Sequence, residues 1–401
     1  MGGLVIHHAT LITPWDTVPD TTLSMRDGRI TSIENHAESA MDADQALDAT
    51  GCTVVPGFID MQLNGTGGID CMRASADDLA RLSALLPQFG CTAYLPTLVT
   101  ASRERLIDGL TAIGTAYRAQ PGGARIVGAH VEGPYLSADF KGAHDPRYVR
   151  PFDETEWEHL LSAAEGCVKL VTLAPEPQGN EGAVRRLRRD GCVVSLGHTN
   201  ATYDDARRAV LEGATLATHT YNAMRGLHHR EPGMLGAVFD LDPLTAELIP
   251  DGIHVHPAAM RGLIKAKGVD RVAAVTDASW VAGLASGTYS WEGRPMVYDG
   301  FAPRLADGTL AGSGMTADGM LRVLVREVGL TLAHALRMLT STPAHVLGIE
   351  RDAGRITVGA SGDVVLLDTD LAVVATVVGG RIVYQRETHT GDVVTGAGLH
   401  R

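Results

Sequence analysis

The chain has 401 residues, a formal net charge of −13, 45% hydrophobic and 20% charged side chains. That length suits a large core plus an accessory module, and the composition excludes wholesale disorder. Net negative charge repels nucleic acid and anionic membrane, so neither is expected as a partner, and an anionic substrate would need a local cation.

The start, Met1-Gly2-Gly3-Leu4, lacks the basic-then-apolar pattern of a secretory leader, and no apolar run reaches the ~18 residues of a membrane span. Five scattered cysteines (Cys52, Cys71, Cys91, Cys167, Cys192) contain no CxxC pair. They fit reduced, buried thiols in the cytoplasm better than a disulfide framework or a thiolate zinc site.

Residues 1–55 read as short strands and tight turns. Asp27-Gly28, between the alternating stretches Thr21–Met25 and Arg29–Ile33, predicts a hairpin. Eight apolar runs follow: Phe58–Leu63, Thr92–Pro96, Arg125–Val131, Val168–Leu173, Cys192–Leu196, Ala214–Thr218, Thr245–Ile249 and Arg271–Thr276. Helical patterns at Ala76–Gln88, Arg103–Arg118, Glu154–Ala164, Glu181–Arg189 and Tyr203–Glu212 separate most of them. This alternation predicts a parallel α/β sheet closed as a (β/α)₈ barrel; an open doubly wound sheet is the competing architecture. The sixth connection, Thr220 to Asp240, is glycine-rich and reads as loop. Residues 280–312 read as a hairpin or lid insertion, and Ala317–Val328 and Leu332–Leu347 as closing helices. The tail returns to β-rich runs at Val364–Leu367, Val373–Val378 and Arg381–Tyr384, where Gly379-Gly380-Arg381-Ile382 echoes Asp27-Gly28-Arg29-Ile30. The expected organisation is a catalytic barrel over 56–350 and a small β-sandwich domain built from 1–55 and 351–401.

Several predicted strands end abruptly in a titratable residue: Glu132 after the third, His198 after the fifth, His219 after the sixth and Asp277 after the eighth. Singly, each has a bland reading as a hydrogen-bonded loop histidine or a capping aspartate. Barrel active sites lie at the C-terminal strand ends, so four such residues at one rim point to a site. A carboxylate with two imidazoles suits zinc and leaves room for water, while iron(II), manganese and cobalt accept the same donors.

With these residues stand the segments Pro56–Gly65, His130–Pro134, Lys141–His144, Gly197–Asn200, Thr218–Met224, Arg230–Gly233, Asp251–His254 and Val275–Ser279. In this order, over most of residues 50–350, the chain resembles the N-acetylglucosamine-6-phosphate deacetylases of the amidohydrolase superfamily. The resemblance implies Glu132, His198 and His219 as ligands of one divalent metal per subunit and Asp277 as acid/base. It implies that His144 polarises the acetyl carbonyl. Asn222, Ala223, His254 and Gln62 would contact substrate. Arg230 would clamp phosphate from a neighbouring subunit of a homodimer. Where many superfamily members carry His-x-His, this chain has Gln62-Leu63-Asn64, and the fourth strand ends in Thr172-Leu173 without a lysine; both argue for one metal.

The reaction so implied is hydrolysis of N-acetyl-D-glucosamine 6-phosphate to glucosamine 6-phosphate and acetate. The alternatives are the galactosamine epimer or another acylated amino sugar, a superfamily hydrolase for other amides, and a catalytically silent binding or scaffold protein. His7, His8, His36 and His334 read as structural, His228 and His229 as surface residues, and His256 as the start of a helix before Pro257.

Overall fold

The computed structural model describes residues 3–13, 16–35, 43–291, 293–387 and 394–395. Eight parallel strands form the catalytic sheet: Phe58–Leu63, Cys91–Val99, Ala129–Glu132, Val168–Leu173, Val193–Leu196, Leu216–Ala217, Thr245–Leu248 and Val272–Ala274. Each pairs with the next in sequence. The intervening helices, among them Ala76–Leu85, Arg103–Ala119, Glu154–Ala164 and Tyr203–Glu212, begin at side-chain caps. Ser75, Ser102, Asp153 and Thr202 each accept the backbone N–H three residues on, which satisfies a donor the helix cannot. Strand after strand is therefore buried on both faces, as a parallel barrel requires.

The first and eighth strands close the barrel without a ladder. One bridge joins Leu63 to Ala278, with Asp277 N–H donating to Gln62 O (2.9 Å) and Asn64 N–H to Ala278 O (3.0 Å). The Asp60 carboxylate adds side-chain support low in the seam. It accepts from Thr276 N–H (3.2 Å), the Thr276 hydroxyl (2.5 Å) and Gln62 N–H (3.3 Å).

Three sequence expectations change. Within the sixth connection, Gly233–Asp240 is a helix rather than loop. Its glycines serve close approach: a side chain on Gly236 would collide with Pro232. The closing stretch Leu332–Leu347 is two helices, Leu332–Leu339 and Ser341–Val346, broken at Thr340. The third apolar run is two strands, with Arg125–Ile126 separate from Ala129–Glu132.

The chain ends meet as expected. Strands from Leu4–Ile12 to Thr53–Pro56 join Val364–Leu367, Val373–Val378 and Arg381–Gln385 in one branched nine-stranded sheet with its own apolar core. The Asp27-Gly28 hairpin forms, pairing Met25 with Ile30. Its echo is physical, because Gly28 packs against Gly379 and Gly380. Gly287–Trp291, Arg294–Tyr298 and Pro303–Leu305 form a three-stranded antiparallel sheet after the eighth barrel strand. Among the described residues, no helix is long and apolar enough to cross a membrane.

Asp60 is expected to carry the seam. Asp60→Ala should lower the unfolding free energy by on the order of 3 kcal/mol, read from denaturant titration, because three buried donors lose their acceptor. Burial pushes the Asp60 carboxyl up from 3.8 to about 6, against the pull of its hydrogen bonds from Thr276 and Gln62. Its folded value exceeds the unfolded one, so its contribution is complete at low pH and declines as pH rises through about 6. Asp60→Asn should flatten that slope; an unchanged slope would assign the effect elsewhere.

Candidate metal centre and catalytic cleft

Glu132 ends the third strand, and His198, His219 and Asp277 follow the fifth, sixth and eighth. The three residues after strands adopt left-handed backbone, with φ of 48° at His198, 28° at His219 and 47° at Asp277. Tyr221 and Ala223, in the loop after His219, do the same at 82° and 46°. Such conformations cost non-glycine residues on the order of 1–3 kcal/mol each and persist only where neighbours enforce them. The neighbours here are loop-to-loop bonds. Thr199 N–H donates to Ala223 O (3.1 Å), Arg225 N–H to Thr199 O (3.0 Å) and Asn200 N–H to the Glu176 carboxylate (2.7 Å).

The turns aim three donor atoms at one point. Glu132 Oε1 lies 3.0 Å from His198 Nε2 and 3.1 Å from His219 Nε2, and the two imidazole nitrogens are 3.0 Å apart. All three residues are buried, and their candidate ligand atoms fall within 4.8 Å of one another. His144 Nε2 is 3.2 Å from His198 Nε2.

The far nitrogens of these rings distinguish two roles. His198 Nδ1 lies 3.0 Å from Phe140 O, an acceptor only, so it carries the proton and leaves the Nε2 lone pair facing Glu132 and His219. His144 Nδ1 instead accepts from Thr100 N–H at 3.2 Å. In a neutral ring its proton then sits on Nε2 and points into the site. Two adjacent histidines thus present opposite faces, one a lone pair suited to a cation and one a donor suited to an oxyanion.

Electrostatics also fit a dication. Three carboxylates, Glu132, Glu247 and Asp277, are buried around these rings. Burial, then the charge of Glu132, pushes Asp277 up to about 7. Burial pushes Glu247 up to about 8, opposed by His219 and reinforced by Glu132 and Asp277. Glu132 itself is held well below the usual range: burial raises it, and the three histidines around it, His144, His198 and His219, lower it by more. Such crowding of negative charge in low dielectric calls for a compensating cation.

Asp277 is held from one side. Asn64 Nδ2 donates to its Oδ1 at 2.6 Å and Gln62 Nε2 to the same oxygen at 3.2 Å. No side-chain donor to Oδ2 is found among the described residues. Gln62 therefore sits behind Asp277, and Asn64 rather than Gln62 lines the cleft.

A cavity of about 210 Å³ opens above the cluster and touches Asn222, Ala223, His254 and Asp277. Its apolar wall includes Met72, Ile249, Trp280, Trp291 and Leu310. Trp291 and Leu310 come from the 280–312 insertion, which the sequence suggested as a lid without naming wall residues. The buried His254 ring is tied by Nδ1 to Asp251 Oδ2 at 2.6 Å. Asn222 Nδ2 donates to His219 O at 3.2 Å, bracing the same turn that carries this imidazole.

Arg230 does not join this cavity. It is exposed, 2.9 Å from His229 Nε2, in a turn where His228 and Glu231 pair. Among the described residues, no lysine or arginine lines the cavity. His256 caps the helix Pro257–Lys267 as expected; His36 lies outside the described residues.

Comparison with known proteins identifies the family. The Amidohydrolase family model matches residues 53–383. N-acetylglucosamine-6-phosphate deacetylase of Bos taurus is 37% identical, covering 91% of this chain and 92% of its own. N-acetylgalactosamine-6-phosphate deacetylase of Escherichia coli O157:H7 is 36% identical, covering 92% and 96%. Among solved structures, N-acetyl-D-glucosamine-6-phosphate deacetylase from Mycobacterium smegmatis superposes with a TM-score of 0.87 at 36% identity, covering 96% of this chain and all of that one. Barrel, strand-end cluster and these matches together make the chain a member of the amidohydrolase family.

Proposed function

We propose that the protein hydrolyses the acetamide of N-acetyl-D-glucosamine 6-phosphate to glucosamine 6-phosphate and acetate. The observation that carries the reading is the paired arrangement of Asp277 and His144 around the Glu132, His198 and His219 cluster. Those three residues would hold one divalent metal per subunit. Zinc suits the donor set best, with iron(II), manganese and cobalt as the other candidates. When bound, such a metal supplies Lewis acidity that lowers the pKa of water towards ~7 and polarises a carbonyl.

The protein groups supply the remaining steps. Asp277 accepts the proton of the attacking water at Oδ2, since Oδ1 is held by Gln62 and Asn64. His144 donates from Nε2 to the oxygen that gains charge as the acetyl carbon becomes tetrahedral. Asp277 then returns its proton to the departing nitrogen. A carboxyl held near neutrality can both take and give that proton. Asn222, the Ala223 backbone and His254 would bind sugar and phosphate along the cavity.

A phosphate dianion needs a cation, and among the described residues no lysine or arginine lines this chain's own cavity. Arg230, exposed beside the site's loops, is the candidate, reaching the neighbouring active site of a homodimer. The sandwich module, 1–55 with 351–401, would then support the catalytic barrel of 56–350. Five buried cysteines, scattered without a CxxC pair, support a cytoplasmic setting.

The 6-phosphate of N-acetylgalactosamine is the second reading, favoured by the Escherichia coli relative. Acetate release from both epimers, with and without phosphate, separates the two. The glucosamine epimer should be turned over fastest; preference for the galactosamine epimer would transfer the assignment.

Asp277→Asn should retain about one metal per chain by elemental analysis while kcat falls by roughly 10²–10⁴-fold. Near-normal turnover would remove Asp277 from the chemistry. Arg230→Ala should raise KM for the phosphorylated sugar and spare the unphosphorylated one. Mixing Arg230→Ala with Asp277→Asn should restore low-KM turnover of the phosphorylated sugar, which neither variant shows alone, through heterodimers with one intact site. Failure of complementation, with heterodimers present, would place the arginine's role within its own subunit.

A further inference from the structure

We infer that Glu247 is a positioning residue for the metal centre, acting through His219. This rests on the reading of His219 as a ligand. Glu247 lies in the seventh barrel strand, Thr245–Leu248, next to the short sixth strand that ends at Ala217. It is fully buried, and the described structure gives its carboxylate no arginine or lysine partner.

Two of its atoms grip the turn that carries His219. Oε2 accepts the His219 backbone N–H at 3.4 Å, a long bond, and the Glu247 carbonyl accepts Thr220 N–H at 2.8 Å. The turn needs both. The sixth strand has only two residues, so its ladder ends before His219, and the backbone there is left-handed at φ 28°. Without an acceptor, the His219 N–H would be buried and unpaired. A side chain that merely filled this space would be apolar, because an unpaired buried carboxylate oxygen is expensive and Glu247 Oε1 has no partner among the described residues. His219 Nδ1, on the ring's far side, also lacks one. Backbone restraint from Glu247 and Asn222 is therefore what orients this imidazole, whereas His198 is oriented through its ring bond to Phe140.

The test uses metal-free protein titrated with cobalt(II), reading affinity by chelator competition and geometry by the visible absorption band. Glu247→Gln keeps a carbonyl oxygen for His219 N–H and should bind within a few-fold of the parent with the same band. Glu247→Ala should bind about 10- to 100-fold more weakly, with a changed band, while its far-UV circular dichroism stays native. If that variant fails to fold, Glu247→Asp, which withdraws the oxygen by one methylene, should show the same weakening. A folded Glu247→Ala or Glu247→Asp protein matching the parent in affinity and band would overturn the inference. So would Glu247→Gln binding as weakly as Glu247→Ala. A folded parent that binds no cobalt would instead overturn the metal centre itself.

Discussion

Between the first and eighth barrel strands, a single backbone bridge stands where other neighbours share a ladder. Side chains from the first strand bridge the rest of the gap, and they do so in layers. Low in the seam, Asp60 holds Thr276. One turn of the pleat higher, Gln62 and Asn64 hold Asp277. The same contacts that close the barrel therefore set the position of Asp277, the proposed acid/base. This explains why amides occupy places where imidazoles would have offered metal ligands: here they face a carboxylate, and an N–H donor is what a carboxylate needs.

The chemistry depends equally on where protons reside. His144 and His198 are neighbours of the same residue type, yet backbone groups on other loops give them opposite tautomers. Neither assignment costs a charged residue. Thr100 N–H and Phe140 O are rigid main-chain partners, so the lone pair and the donor are both preorganised before any ligand arrives. Strain at His198, His219 and Asp277 is the counterpart of that order, since left-handed exits turn the side chains inward.

Strand order and strand ends were legible in the sequence because alternation of apolar runs with capped helices is a local pattern. Glu132, His198, His219 and Asp277 stood out for the same reason: polar residues cut off apolar runs. Roles set by distant partners were not legible. Nothing around His144 announces that Thr100 will donate to it, and Gln62 read as a substrate contact because its partner Asp277 lies 215 residues away. Glu247 was hidden inside an apolar strand. The helix Gly233–Asp240 was missed because glycines that permit close packing look like glycines that permit turns. Trp291 and Leu310 sat in an insertion whose fold, a small antiparallel sheet, says nothing locally of the cavity it borders.

That insertion divides labour within the cleft. Glu132, His198, His219 and Asp277 sit at strand ends, inside the repeat that makes the barrel. Part of the wall that meets the ligand's bulk hangs on an appendage outside the repeat, after the eighth strand. Replacing Trp291 or Leu310 alters the shape of the cavity without touching a hydrogen bond of the seam or the cluster. Cavity shape and the strand-end cluster are thus carried by separate parts of the molecule, so a substitution in the insertion can change the one and leave the other in place.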